Sequence, residues 1–262
     1  MRFISAVVAI LLLLATGCAG HHAPQKAEVR NPYIEKAELL NKNGVFALRQ
    51  RHPARASRLF SAALQAATLA DDAHWMALSG YNLGRAQAAA GDKAAAQLAY
   101  QMAIKQAEAS ADPVNLMRAR LALALLGGEF GDGVALQSVA ADFPIDIHLA
   151  AGQLAALRDR QDMAQHAYAR VLALAGEDRA GLLYAARARL GLAGLARKSG
   201  DIYLAQSEVR TVLSLLHRAG APLLTATALR FAAGLEKDSP RRRVLLQRAE
   251  DISRVLNETR KK

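Results

Sequence analysis

The residues that could do chemistry are few. A single cysteine, Cys18, occurs in the 262 residues. It follows Leu14-Ala15-Thr16-Gly17, and the small residues before it let a peptidase approach the backbone closely. Beyond Cys18 there is no thiol, so thiol catalysis and an internal disulfide are both excluded for the rest of the chain. His21-His22 is a pair without a nearby third ligand, and His74, His148, His166 and His217 are widely spaced. They read as surface or interhelical residues, and no metal site is expected. No His-Glu-x-x-His, Gly-x-Ser-x-Gly or Ser-x-x-Lys occurs. The run Gly127-Gly128-Glu129-Phe130-Gly131-Asp132-Gly133 is glycine-rich but follows no strand, and it carries too few carboxylates for a calcium loop. It reads as a loose turn. No catalytic residue is expected, and the chain is not read as an enzyme.

The elements around Cys18 explain its position. Arg2 gives the N-terminus a positive charge, and a run of 12 apolar or small residues follows, Phe3 to Leu14. As a helix that run spans about 18 Å, short of a bilayer core of roughly 30 Å. It suits the hydrophobic region of a signal peptide better than a membrane span. The stretch Leu14 to Cys18 resembles the bacterial lipobox. That resemblance implies a signal peptide at 1–17, cleavage before Cys18, and covalent diacylglycerol and acyl (palmitate-type) lipid on Cys18. No other cofactor is implied. Ala19 is not the Asp that retains such lipoproteins at the inner membrane, so the resemblance implies anchoring in the outer membrane, facing the periplasm. Residues 18–32 would be the lipidated Cys and a tether without hydrophobic periodicity, with an r.m.s. reach of about 20 Å if flexible.

The remaining domain, 33–262, is rich in Ala, Leu and Arg, poor in Pro, and shows no sustained period-2 alternation. An all-α fold is expected. The formal net charge of the whole chain is +11, about +10 once Arg2 is lost with the signal peptide, and it favours anionic partners such as acidic proteins, phospholipid headgroups, lipopolysaccharide or peptidoglycan carboxylates. Export argues against nucleic acid. A plainer reading, in which the arginines solvate helix faces or pair with neighbouring glutamates, stays open beside it.

A fixed period organises the helices. Turns at Arg51-His52-Pro53, Gly91-Asp92, Gly131-Asp132, Arg160-Gln161-Asp162, Gly200-Asp201 and Lys237-Asp238-Ser239-Pro240 lie close to 40 residues apart, with one shorter interval between the third and fourth. Gly supplies a left-handed C-cap and Asp the next N-cap. Around the second turn stand Leu83-Gly84, Gly91, Ala96, Tyr100 and Ala103. Gly44, Ala56, Phe60 and Ala63 fill the same offsets in the first unit; the fourth has Gly152, Ala164 and Tyr168 but Val171 in the last small position, and the fifth has Leu192, Gly200 and Ala205 but Val209 in the aromatic slot. The third and sixth are degenerate, the third with a short second helix ending near Asp142-Phe143-Pro144. This pattern resembles the tetratricopeptide repeat. The resemblance covers about 33–258 and implies a right-handed superhelical solenoid of about six antiparallel hairpins, hence about twelve helices, with extended repeats.

In that family ligands usually lie on the concave face formed by the first helix of each unit. Carried over residue by residue, that face would hold Leu78, Tyr81, Asn82 and Arg85, then Arg118 and Leu121, then Arg187, Leu190 and Arg197. Arginine forks pair with carboxylates or phosphates and Tyr81 can stack, so the expected partner is a protein or peptide, acidic in character. Asn82 sits at the family's carboxylate-clamp position, but Val45 replaces the Asn expected in the first unit. Arg241-Arg242-Arg243 opposes the dipole of its own helix, and contact with anionic lipid is one option. The expected function is a non-catalytic interaction scaffold in a bacterial envelope assembly. A pilotin-like assembly chaperone for an outer-membrane, secretion or pilus component is the alternative, and an envelope enzyme with an unrecognised site a third.

Overall fold

The computed structural model describes residues 30–127, 136, 139–237 and 239–259. Cys18, the run before it, most of the tether and the turn Gly131-Asp132 lie outside the described residues. Among the described residues there are eleven helices and no strand. The fold is all-α. None of these helices is long and apolar enough to cross a membrane.

The helices are α1 (Pro32–Arg49), α2 (Pro53–Leu69), α3 (Ala73–Ala90), α4 (Lys93–Ala109), α5 (Pro113–Leu126) and α6 (Ile145–Leu157). They continue with α7 (Gln161–Leu174), α8 (Arg179–Lys198), α9 (Ile202–Ala219), α10 (Pro222–Ala233) and α11 (Pro240–Glu258). The chain divides after Pro32, and every hydrophobic cluster lies inside the compact unit Tyr33–Lys262. That unit therefore carries its own core, the condition for folding without residues 1–32.

Local chemistry sets the helix ends. The carboxylates of Asp72, Asp92, Asp112, Asp178 and Asp201 each accept the backbone N–H three residues on, as does the Ser239 hydroxyl. Each bond satisfies a donor that the first helical turn leaves unpaired. Pro53, Pro113, Pro222 and Pro240 stand in first turns, where no N–H is missed. Gly91 closes α3 at φ 90° and Gly200 follows α8 at φ 86°. Gly127 caps α5 at φ 86°.

Close packing within hairpins rests on a glycine facing an aromatic ring. A Cβ added at Gly44 would stand 2.5 Å from the Phe60 ring, at Gly84 2.6 Å from Tyr100, and at Gly152 2.7 Å from Tyr168. In each case the ring lies 16 residues after the glycine. The sequence suggests small residues so that two backbones can approach. In the structure the space at Gly84 is filled by the ring of Tyr100. Tyr168 is held between two helices, since a Cβ at Gly191 on α8 would also meet it, at 2.3 Å. Burial pushes the Tyr168 hydroxyl up to about 12, so it remains protonated in its apolar surroundings.

The described segment between α5 and α6 departs from expectation. Residues 139–144 form a turn and bend with no helix, so the short second helix expected to end near Asp142-Phe143-Pro144 is missing among the described residues. Pro144 biases Phe143 away from helical geometry. Leu136, Val139 and Phe143 instead pack onto the cluster of Met117, Leu121, Ile147 and Leu154, sealing α5 against α6.

Candidate functional site

Helix α3 places His74, Leu78, Tyr81 and Arg85 at i, i+4, i+7 and i+11, one stripe of its surface. Its other faces are closed by small buried residues, Ala77, Gly80, Gly84 and Ala86. The stripe faces α5. His74 Nδ1 lies 2.6 Å from Asp112 Oδ2. Together with Leu78, Asn115 and Arg118, these residues line an open cleft of about 530 Å³. The floor is the Asp112-Pro113 start of α5, and Arg118 stands one turn further along.

Arg118 is already engaged. Its Nε donates to Asp146 Oδ2 at 2.8 Å and its Nη2 to Asp146 Oδ1 at 3.2 Å. This two-pronged pair ties α5 to the first turn of α6. Burial alone would pull the guanidinium down, but the Asp146 carboxylate outweighs it and holds the pKa of Arg118 above its ordinary value. Burial also works against the Asp112 carboxylate. Hydrogen bonds from the Asn115 backbone and side-chain amides and from His74 outweigh that penalty, and its pKa falls below 3.8. The cleft therefore holds an ionised carboxylate beside a guanidinium that Asp146 already neutralises.

Tyr81 stands one turn beyond Leu78 on the same stripe and packs against the cluster of Ala96, Tyr100 and Leu123. The Arg85 guanidinium stands 5.5 Å over its ring, and its centroid is 6.1 Å from that of Tyr100. Burial raises the pKa of its hydroxyl, with Arg85 opposing; Asp146, Arg118 and Tyr184 all lie within electrostatic reach. Side chains of α3 and α5 meet at the cleft, and Asp146 of α6 joins them through Arg118.

Behind this stripe runs a buried amide network. Asn41 on α1 donates through Nδ2 to the Ser79 hydroxyl at 2.8 Å and to the Ala37 carbonyl at 3.0 Å. Asn82 Nδ2 donates to Asn41 Oδ1 at 3.1 Å, and Arg85 Nη1 donates to Asn82 Oδ1 at 3.3 Å. Arg85 is thereby aimed by a chain that begins two helices away.

The expected face resolves into parts. Leu78 and Arg118 line the cleft, and Tyr81 and Arg85 stack on each other further along the same stripe of α3. Asn82 is 5 % exposed and its amide is used inside the network, so it positions Arg85 and offers little to a ligand. Leu121 is 0 % exposed and belongs to the core under α6, which removes it from any binding surface. Leu190 packs against Ala186, Val212 and Leu216. Arg187 is exposed. Arg197 lies at the far end of α8, 4.7 Å over the Phe231 ring. His74, Asp112, Asn115, Asp146 and Tyr184 were not expected. Their signal was present for the capping residues: Asp72, Asp92 and Asp112 recur at equal spacing, marking successive helix starts.

A second concavity, about 350 Å³, opens between α6, α7 and Leu136, Val139 and Ala141, with Met163, His166 and Arg170 also lining it. His148 at its base is 4 % exposed, and its Nε2 has no hydrogen-bond partner. Arg170 donates to the Ala141 carbonyl at 2.7 Å, bracing the segment. No group of three or more metal-ligating side chains occurs among the described residues.

No protein-family model and no curated protein matches this chain.

Proposed function

We infer that the chain is a non-catalytic, membrane-anchored lipoprotein of tetratricopeptide type, serving as an interaction scaffold in a bacterial envelope assembly. Cys18 would carry the diacylglycerol and acyl lipid, and the outer membrane, on its periplasmic side, would be the site of attachment. The helices would stack as a solenoid whose first helices form the docking face. The observation that carries the docking reading is the open cleft that His74 and Leu78 of one first helix line with Asp112, Asn115 and Arg118 of the next, with the Arg85–Tyr81 pair further along the same stripe.

The chemistry of that groove fits an extended peptide with an apolar side chain and a carboxylate. Leu78 offers an apolar wall, Tyr81 a stacking surface, and Arg85 a half-committed guanidinium. The ionised Asp112 beside His74 would pair with a cation or a backbone N–H on the same peptide. A partner mixed in charge therefore fits better than a uniformly acidic one, because Arg118 is neutralised by Asp146.

Two measurements test the reading. Replacing Cys18 by Ser should release the protein from the membrane fraction and block lipid labelling, and normal retention with unchanged cleavage would sink the lipoprotein claim. Arg85→Glu in the full chain should abolish co-purification of the envelope partner without changing the circular dichroism. Unchanged co-purification would move the docking site elsewhere. A pilotin-like chaperone remains the second reading, supported by the same groove; it predicts that an outer-membrane client mislocalises when the protein is absent.

A further inference from the structure

The turns at the two ends of α6 to α9 differ in charge. The turns that lead into first helices hold Asp142, Asp146, Glu177 and Asp178 against Arg179 and Arg218. Ion pairs and hydrogen bonds connect them: Arg218 pairs with Glu177, and Arg179 Nε donates to the Ala219 carbonyl at 3.0 Å. At the other ends of the same helices the sign reverses.

That second edge is continuous. Lys198 at the end of α8 pairs with Asp159 at the end of α6. Arg197 lies over Phe231 of α10, and Arg241 at the start of α11 pairs with Glu236 at 3.5 Å. The α6–α7, α8–α9 and α10–α11 turns therefore form one lip. Its cations are Arg158 and Arg160, Arg197 and Lys198, Lys237, and Arg241 to Arg243. Asp159, Asp162, Asp201 and Glu236 oppose them among the described residues, and the sequence adds Asp238, so eight cations face five carboxylates.

Two features of the lip run against what folding alone favours. Arg241, Arg242 and Arg243 stand in the first turns of α11, where the dipole disfavours cations. Tyr203, 88 % exposed, and Leu157, 72 % exposed, project at these same turns, flanked by Ile202 and Leu204. Scattered exposed apolar residues are ordinary, but here three adjoin in sequence at a basic edge. Cations with a protruding Tyr and aliphatic side chains are the complement of an anionic bilayer surface. The cations meet phosphates, and the phenol sits at headgroup depth.

We propose that the basic lip formed by the α6–α7, α8–α9 and α10–α11 turns docks the helical unit onto an anionic phospholipid surface, with Leu157 and the Ile202-Tyr203-Leu204 segment entering the headgroup layer. This contact is separate from Cys18 and does not depend on its lipidation. One lipid anchor leaves a domain free to rotate, and a second, electrostatic contact would fix which face it turns to its partners.

The test uses unit 33–262, which carries its own core. Co-sedimentation is measured with vesicles of phosphatidylcholine alone and with about 30 mol % phosphatidylglycerol. The unit should bind only the anionic vesicles, and binding should fall as salt rises. Arg160→Glu with Arg243→Glu should weaken binding on the order of tenfold or more, since each cation at such a surface contributes roughly fivefold. Both reversals put a carboxylate at a helix N-terminus, so the fold is not weakened. Lys105→Glu with Arg187→Glu makes the same charge change away from the lip and should leave binding nearly intact. Tyr203→Ser should reduce binding at constant charge. Equal binding to neutral vesicles, no binding to anionic ones, or equal loss in both double variants would overturn the proposal.

Discussion

Gly84 offers a test of how the hairpins close. Replacing it by Ala places a methyl group 2.6 Å from the Tyr100 ring, well inside van der Waals contact, so ring or helix must shift. Overpacking of this kind costs about 1–3 kcal/mol. Alanine also returns roughly 1 kcal/mol of helix propensity. Gly194 on α8 isolates the second effect, because a Cβ there meets nothing within 4 Å and its φ is helical. Gly194→Ala should stabilise, and the gap between the two variants equals the clash. For a unit of this size the gap corresponds to roughly 2–4 °C in Tm per kcal/mol. Thermal and urea unfolding of both variants measures it. Tyr100→Leu supplies the decisive arm. In that background Gly84→Ala should resemble Gly194→Ala, giving a positive coupling energy in the double-mutant cycle. Equal stability of the two alanine variants, or no rescue by Tyr100→Leu, would refute the idea that the ring imposes the glycine.

Three further outcomes follow from the site. Asn41→Ala should lower stability by about 1–3 kcal/mol, since the Ser79 and Asn82 groups lose a buried partner; urea midpoints report it. Arg118→Ala should cost about 1–2 kcal/mol by leaving Asp146 without its two-pronged partner, and Asp146→Asn in that background should cost less than in the parent. Burial, with Arg170 and His166 adding repulsion, holds the His148 imidazole below 6.5 against contacts with the Ala141 and Phe143 backbone. The unfolded chain therefore binds that proton more readily. His148 contributes stability that is complete above pH 6.5 and is lost as pH falls below it. Asp112 adds a second loss as pH falls below 3.8. His148→Gln should flatten the first loss in urea unfolding at a series of pH values and leave the second.

The helical class was legible because the local signals agree. Asp92 and Asp201 cap helices as their spacing predicts, and Gly91 takes the left-handed turn its type allows. The α5–α6 segment was not legible. Leu136, Val139 and Phe143 carry apolar residues at spacings compatible with a helix, yet their burial against Met117 and Ile147 draws the described part into a turn. The groove was read in part for a similar reason. Repeat register places Tyr81 and Arg85 on a face, but it cannot distinguish a surface residue from one like Leu121, which the neighbouring helix covers completely. Register also says nothing of pairing across helices. The sequence allows Arg118 to be a ligand fork or to pair with an acid on an adjacent helix, and its partner Asp146 lies 28 residues further along the chain. Asn41 escaped notice because its partners, Ser79 and Asn82, stand on another hairpin.

The central claim is that the face between α3 and α5 docks a partner. Site-specific photo-crosslinking in living cells tests it most directly, with the probe at Leu78 in the groove and, for comparison, at Leu98, exposed on α4. The account predicts one discrete adduct from Leu78, lost when Arg85→Glu is added, and no such adduct from Leu98. An adduct from Leu98 with none from Leu78, or a Leu78 adduct indifferent to Arg85→Glu, would contradict it.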